Sequence, residues 1–289
     1  MSFQGTLRLC VPNYRGMWPA SNVHCLIQLA YYLGSARIPL SDHSEPGSAV
    51  QLARQALIDA ALEDETVSTV LFVDDDMVFT VEQFIALWTE FHENDLDFLA
   101  AMAFRNSDPT CPCVFGKVPG MPRWGEKEWW HILSDYPGLP RRRFNAKTQD
   151  YDIVLPNGPH ARFKVEASGF GMVLLSRRML DGMRRDKDGN IIEGYRHFMC
   201  RKANFPNEDV AFCLNAIDKG FDIWCDSRVS ILHESKDRPL IGERQYIAHG
   251  DRIEQCATPI PLRMKVQGLD TTECMPLQPM EAMPVAAQG

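Results

Sequence analysis

Short apolar runs alternate along this chain with stretches of helical periodicity. Leu7-Arg8-Leu9-Cys10-Val11 stops at Pro12-Asn13 and predicts a first buried strand. Between Asn13 and Pro46, Tyr, Pro, Gly and Ser are frequent, and the apolar patch from Cys25 to Leu33 predicts a short helix. The next helix is predicted from Ser48 to Leu62. Ser48 stands as its cap, Gln51 completes a capping box, and Val50, Ala53, Leu57, Ala60 and Ala61 mark one apolar face. Thr69-Val70-Leu71-Phe72-Val73 is continuous and β-branched, as in a central parallel strand covered on both faces, and it ends in Asp74-Asp75-Asp76. Thr80 and Gln83 form a second capping-box pattern. Val81, Phe84, Ile85, Trp88 and Phe91 then recur at helical spacing to about His92, and Asp97 to Ala103 reads as a further strand. This β-α-β-α-β order with long connections implies a parallel sheet flanked by helices, the α/β class.

The pattern then changes. Residues 105–164 are rich in Pro, Gly, Trp and Arg and predict a loop-rich insert with short strands, Tyr151 to Leu155 among them. Order resumes from Phe163 to Leu175, and Ser176 is placed to cap a helix through Met183. Asp188-Gly189-Asn190 is a turn, and a helix from Glu208 to Lys219 ends at Gly220. Phe221 to Cys225 reads as a strand, and Val229 to Leu232 is a short apolar run leading to His233. Residues 1–257 read as a single domain. Residues 258–289 accumulate Pro and Met without periodicity and read as a flexible tail. No internal repeat is present.

Composition narrows the picture. Of 289 residues, 45% are hydrophobic and 24% charged, which excludes disorder over most of the chain. Thirty Lys and Arg against 38 Asp and Glu give a net charge of −8, which excludes a globally basic nucleic-acid binder. Local clusters remain at Arg141-Arg142-Arg143, Arg177-Arg178 and Arg184-Arg185. They face either an anionic acceptor, such as modified DNA or a lipid phosphate, or plain solvent. No apolar run approaches the ~20 residues that cross a bilayer, and the first residues lack a signal-peptide pattern. The odd count of nine cysteines reads as reduced thiols, so a soluble, cytoplasmic protein is expected. Cys111 and Cys113 form only a C-x-C pair, so no structural zinc site is expected.

The acidic triplet carries the strongest chemical signal. Ligands of open α/β sheets bind at the carboxyl ends of strands. Adjacent carboxylates repel one another, and a hard divalent cation relieves that repulsion while bridging to phosphate oxygens. The competing reading is a solvated acidic turn before a helix. Asn207-Glu208-Asp209 opens a helix. One of its acids could take a proton from an acceptor hydroxyl, although helix capping explains the same residues. His233 at a strand end is either a further metal ligand or a packed histidine. In Gly169-Phe170-Gly171 the glycines either admit a ligand close to the backbone or serve a tight turn. Leu174 stands where the third glycine of a dinucleotide fingerprint would be, so a Rossmann dehydrogenase is a poor fit.

Taken in order, these features resemble the GT-A nucleotide-sugar-dependent glycosyltransferases of the broad group related to family 2, over residues 6–235. The motif Phe72-Val73-Asp74-Asp75-Asp76-Met77 resembles that family's Asp-x-Asp segment. The resemblance implies a Rossmann-like, mainly parallel sheet with helices on both faces, and transfer of a sugar from a nucleotide-sugar, UDP favoured, to an acceptor hydroxyl. It implies Mn²⁺ or Mg²⁺ held by Asp76 and His233, with Asp74 sharing the metal site or lying nearer the ribose. It implies Asn13 and Tyr14 at the base and ribose, Arg54 reaching the nucleotide, and Asp75 on the donor side. Gly169, Phe170 and Gly171 would line the sugar and acceptor pocket, with Glu208 and Asp209 as the acceptor-side acids. A histidine in the metal site further implies retention of anomeric configuration. Trp124, Trp129 and Trp130 of the insert offer stacking surface for a sugar or simple core packing. The chain departs from the pattern in its long Asn13–Pro46 connection, in Arg54-Gln55 on the first long helix, and in the insert. Two other functions share parts of the pattern: a metal-dependent nucleotidyltransferase, and a noncatalytic sugar-nucleotide- or glycan-binding domain.

Overall fold

The computed structural model describes residues 5–13, 18–46, 49–105, 112–115, 141–145, 150–154, 158–199, 207–235 and 238–242. In chain order the first elements are β1 (Thr6–Asn13), α1 (Ala20–Ser35), β2 (Leu40–Pro46), α2 (Val50–Glu63) and β3 (Val67–Val73). Then come β4 (Met77–Val78), α3 (Val81–Glu93), β5 (Phe98–Met102), β6 (Val114–Phe115), β7 (Arg141–Asn145) and β8 (Asp150–Val154). β9 (Arg162–Val165), β10 (Ala167–Ser168), β11 (Met172–Ser176), α4 (Arg177–Met183) and α5 (Glu208–Ile217) follow. The last three are β12 (Ile223–Ser230), β13 (Leu232–Ser235) and β14 (Arg238–Ile241).

A seven-stranded sheet in the order β2-β1-β3-β11-β5-β12-β9 forms the centre. β1, β2, β3, β5 and β12 run one way, and β11 and β9 run the other. The expected α/β architecture, mainly parallel with helices on both faces, is the one the chain adopts. Alternation along β3 divides its side chains between two cores. Val70 and Phe72 pack with Leu57 and Ile58 of α2, Met179 and Leu180 of α4, and Phe212 of α5. Leu71 and Val73 pack with Leu29 and Leu33 of α1 and with Phe84 and Leu87 of α3.

Chain order alone sets β3 beside β5, but β11 lies between them, antiparallel to both. Its residues explain the placement. Met172-Val173-Leu174-Leu175 is apolar at every position and fully buried, and only a strand covered on both faces accommodates such a run. The apolar runs at 221–225 and 229–232 also join differently than their separation suggests. Part of each lies in the single strand β12, whose pairing with β5 is irregular between Asp226 and Ser230.

Side chains cap the starts of α3, α4 and α5, whereas α1 and α2 start without one. Thr80 Oγ1 accepts from the Gln83 N–H at 3.3 Å while Gln83 Oε1 accepts from the Thr80 N–H at 2.9 Å, the expected capping box of α3. Ser176 Oγ accepts from the Met179 N–H at 3.0 Å, as expected for α4. α2 differs. Ala49 is its N-cap, without a side-chain cap, and the Leu52 and Ala53 N–H groups both donate to the Ala49 carbonyl. Gln51 therefore stands one position too early for the predicted box, and Ser48 lies outside the described residues. The other end of α2 is closed by Arg177, whose guanidinium donates to the carbonyls of Ala61, Leu62, Asp64 and Val67. A cation there satisfies orphan carbonyls and complements the helix dipole.

Among the described residues, three smaller sheets accompany the central one: β10-β6, β7-β8 and β14-β13-β4. In the last, His233 stands opposite Met77, the residue after the acidic triplet. β6, β7 and β8 fall within the predicted insert and β9 straddles its end, and β8 coincides closely with the strand read at Tyr151 to Leu155. Trp124, Trp129, Trp130 and the tail at 258–289 lie outside the described residues. Among the described residues, no helix is long and apolar enough to cross a membrane.

Candidate active site

The site begins where β3 stops. The Asp74 N–H donates to the Gly171 carbonyl at 3.0 Å, which ties the acidic turn to the start of β11. The Met77 N–H donates to the Asp74 carbonyl at 3.1 Å and closes the turn. Asn22, fully buried on α1, clamps it from outside: Nδ2 donates to the Asp74 carbonyl at 3.2 Å and to the Met77 carbonyl at 2.8 Å. The sequence reading missed Asn22. Its signal was present, because it shares a helical stripe with Cys25, Leu26 and Leu29, where a polar residue is out of place unless it has work to do.

The β4–β13 pairing then brings His233 to Asp76. His233 Nε2 lies 3.0 Å from Asp76 Oδ2, and the Glu234 N–H donates to the Asp76 carbonyl at 2.7 Å. His233 Nδ1 lies 3.1 Å from the Phe104 carbonyl, which only accepts, so Nδ1 carries a proton. Burial alone would lower the histidine's pKa. The Asp76 hydrogen bond and charge, helped by the Phe104 carbonyl and Asp74, outweigh burial and raise it above its ordinary value.

The chemistry of this donor set suits a divalent cation. With Nδ1–H tied to a carbonyl, neutral His233 presents its Nε2 lone pair beside a carboxylate oxygen, a combination suited to a metal ion. Two protein ligands leave the remaining coordination positions to phosphate oxygens and water, the usual manner for Mg²⁺ at phosphate sites. Among the described residues, no group of three or more His, Cys, Asp or Glu side chains gathers around one ion-sized gap. The expected trio of Asp74, Asp76 and His233 therefore does not converge as a set: the Asp74 carboxylate is turned to Arg54.

That second cluster is built around α2. Arg54 Nη2 donates to Asp74 Oδ1 at 2.7 Å, and Nη1 donates to Glu208 Oε1 at 3.0 Å and to Asp209 Oδ1. Glu208 and Asp209 occupy the first turn of α5, capped by Asn207, whose Oδ1 accepts from the Val210 N–H at 2.9 Å. The Phe170 N–H donates to Asp209 Oδ2 at 3.3 Å. One guanidinium thus serves three carboxylates in a largely buried setting. Burial pushes the Asp209 carboxyl up to about 7; Arg54 opposes this, while Glu208 and Asp74 add to it. Asp74 is raised by burial in the same way, with Arg54 pulling against it.

The other expected site residues fall in different places. Asn13 is buried at the carboxyl end of β1, and its Oδ1 has no hydrogen-bond partner among the described residues. Tyr14 lies outside the described residues, and Asp75 is buried in the turn. The two glycines face protein. A Cβ on Gly169 would come within 2.9 Å of the Cys113 Cβ, and one on Gly171 within 3.1 Å of Ala103 Cβ and Met77 Sδ. Their bareness serves close packing at the entry to β11. Phe170 is buried beneath the Arg54 guanidinium, which lies 5.2 Å from its ring centroid.

The arginines at 177, 178, 184 and 185 are engaged internally. Arg177 caps α2, Arg178 pairs with Asp95 and Asp97, Arg184 with Asp181, and Arg185 donates to the Gly189 carbonyl. Arg141, Arg142 and Arg143 lie on β7, which pairs antiparallel with β8, Arg143 being in register with Asp152.

The sequence matches no family model and no curated protein. Several solved structures are similar in shape. The protein A197 from STIV is 15% identical with a TM-score of 0.49, over 83% of this chain and 91% of that one. GalNAc-T7, solved with UDP, GalNAc and Mn²⁺, is 9% identical with a TM-score of 0.42, over 77% of this chain and 42% of that one. S. aureus TarS 1-349 is 11% identical with a TM-score of 0.34, over 81% of this chain and 59% of that one.

Proposed function

We propose that this chain is a metal-dependent glycosyltransferase that moves a sugar from a nucleotide-sugar donor, a UDP-sugar in preference, to an acceptor hydroxyl. The observation that carries the reading is the pairing of Asp76 with His233 at the end of β3, beside a second acid cluster at the start of α5. A charge-balancing pair for a diphosphate and a separate group of acids for a hydroxyl are the two needs of this reaction.

As the sugar–phosphate bond lengthens, negative charge builds on the leaving diphosphate. Asp76 and His233 would hold a Mn²⁺ or Mg²⁺ ion, which would supply Lewis-acid stabilisation of that charge. Asn22 fixes the backbone of the turn that carries Asp76, so the ligand is preorganised. Asn13, whose buried Oδ1 has no partner among the described residues, stands on the donor side. Glu208 and Asp209 hold the acceptor hydroxyl by accepting its hydrogen bond.

The test is a donor screen by thermal shift, with UDP- and GDP-sugars with and without Mn²⁺. A manganese-dependent shift with one nucleotide-sugar class, followed by release of that nucleoside diphosphate on turnover, supports the proposal. A shift with nucleoside triphosphates only, with pyrophosphate as product, replaces it with nucleotidyl transfer. Donor binding without any turnover replaces it with a noncatalytic binding domain.

A further inference from the structure

We infer that Arg54 and Gln55, neighbours on α2, are positioning residues that lock the acid cluster together, and that Arg54 does not contact the donor. The meaning of the acids rests on the glycosyltransferase reading; the anchoring rests on geometry alone.

Arg54 is only 2% exposed. Both its terminal nitrogens are engaged by Asp74, Glu208 and Asp209. Its planar face is covered by two aromatic rings, with the guanidinium carbon 5.2 Å from the centroid of Phe170 and 5.9 Å from that of Phe198. A donor phosphate would have to displace a carboxylate from that nest and enter the field of the other two. The three acids come from two segments remote in sequence, the end of β3 and the start of α5, and Arg54 reaches both from a third element. Without it the carboxylates would repel one another in a poorly solvated place.

Gln55 performs a parallel task one residue later. It is 2% exposed, and its Oε1 accepts from the His197 N–H at 2.6 Å. Its Nε2 lies 3.3 Å from His197 Nδ1 and donates to Asp59 Oδ1 at 2.8 Å. His197 Nε2 lies 3.0 Å from the Leu180 carbonyl, so Nε2 donates and Nδ1 is left to accept from Gln55. Asn215 of α5 holds the same segment from the other side, donating to the carbonyls of His197 at 3.0 Å and Met199 at 3.2 Å. Between these two anchored residues sits Phe198, the ring that closes over Arg54. The dipeptide thus binds the acids directly through Arg54 and holds the lid on Arg54 through Gln55.

The experiment uses the full chain with Arg54→Met, Arg54→Lys, Gln55→Leu and the double variant Arg54→Met/Asp209→Asn. Two readouts are taken: melting temperature, and donor Kd set against kcat. Arg54→Met is expected to lower the melting temperature, and adding Asp209→Asn is expected to recover most of the loss by relieving repulsion. Donor Kd should stay within about threefold in Arg54→Lys and Gln55→Leu, while kcat falls about 100-fold and about tenfold respectively, the scale of a misplaced catalytic group. Arg54→Lys keeps the charge and remains informative if Arg54→Met does not fold. Donor binding weakened tenfold or more with kcat preserved would make Arg54 a donor ligand and overturn the inference. So would a melting temperature that Asp209→Asn fails to rescue. If the wild type binds no nucleotide-sugar, the glycosyltransferase reading falls, and the melting rescue alone decides the anchoring.

Discussion

His233 Nε2 faces Asp76 Oδ2 at 3.0 Å, across a sheet contact in which His233 is paired with Met77. A two-residue strand, β4, is enough to set this distance because the Glu234 N–H also grips the Asp76 carbonyl. Backbone pairing on both sides of His233 places its ring, and the Phe104 carbonyl sets its tautomer. A histidine held in this way meets a ligand without reorganising, which is the structural requirement for a preorganised charge site.

Removing either partner should therefore abolish metal-assisted donor binding. Ligand at ~100 times its dissociation constant adds about 2.7 kcal/mol to the folded state. The wild type should show a stabilisation of that size with its nucleotide-sugar and Mn²⁺, and Asp76→Ala and His233→Ala should lose it. The measurement is thermal shift with and without chelator. A metal-dependent shift retained in both variants would place the ion elsewhere.

Asp209 predicts a pH dependence of stability. Its pKa rises on folding from the ordinary 3.8 to about 7. Between those values the folded chain holds a proton that the unfolded chain has lost, so stability falls as pH rises. This contribution is complete below pH 3.8 and is lost by about pH 7. Asp64, Glu82 and Asp186 are lowered in the folded chain and act in the opposite sense, so the wild-type curve alone mixes the two. The difference between wild type and Asp209→Asn in urea unfolding isolates the Asp209 contribution. That difference should grow between pH 4 and 7 in favour of the variant; a flat difference would mean that Asp209 is ionised across the range.

Arg177 is predicted to matter for folding and not for any anionic partner. Its guanidinium satisfies four carbonyls around the end of α2 and the entry to β3. Hydrogen bonds to a charged group are worth about 1.5–3 kcal/mol each and add poorly, so Arg177→Met should cost about 2–4 kcal/mol in chemical denaturation. Acceptor KM and its salt dependence should not move. A destabilisation below about 0.5 kcal/mol, the range of ordinary surface substitutions, would show that the cap is dispensable.

What was legible in the sequence was local. The Thr80–Gln83 box, the Ser176 cap and the Asn207 cap each need only a few adjacent residues, and the fold forms all three. The two-faced burial of Thr69–Val73 was also readable, because an unbroken apolar run has no polar side to expose. The place of β11 between β3 and β5 was not readable, since apolar content says that a strand is central and not which strands flank it. The Arg54 hub had a signal that went unread. Arg54 lies on the same helical row as Ile58 and Ala61, both buried, and Gln55 lies on that of Leu62. A charged residue in a buried row demands partners of opposite charge. The chain supplies few candidates that are themselves flanked by apolar segments: Asp74 after β3, and Glu208-Asp209 before the apolar face of α5. Asn22 followed the same rule on α1.

The acids around Arg54 also bear on the stereochemical course. Inversion needs a base in line with the anomeric carbon, free to take the acceptor's proton. Asp209 holds Arg54 with one oxygen and the Phe170 N–H with the other, and Glu208 gives one oxygen to Arg54. Acids held in this way position a hydroxyl better than they deprotonate it, and the expected course is retention of configuration. NMR of the product anomer at early turnover is the measurement. A product of opposite configuration to the donor would reverse the assignment and make Asp209 the base, since a carboxyl raised to about 7 is well matched to that task. In that event kcat should rise with pH through about 7 as Asp209 ionises, and Asp209→Asn should abolish turnover while donor binding persists. Under retention the same substitution should weaken acceptor KM and leave a measurable kcat.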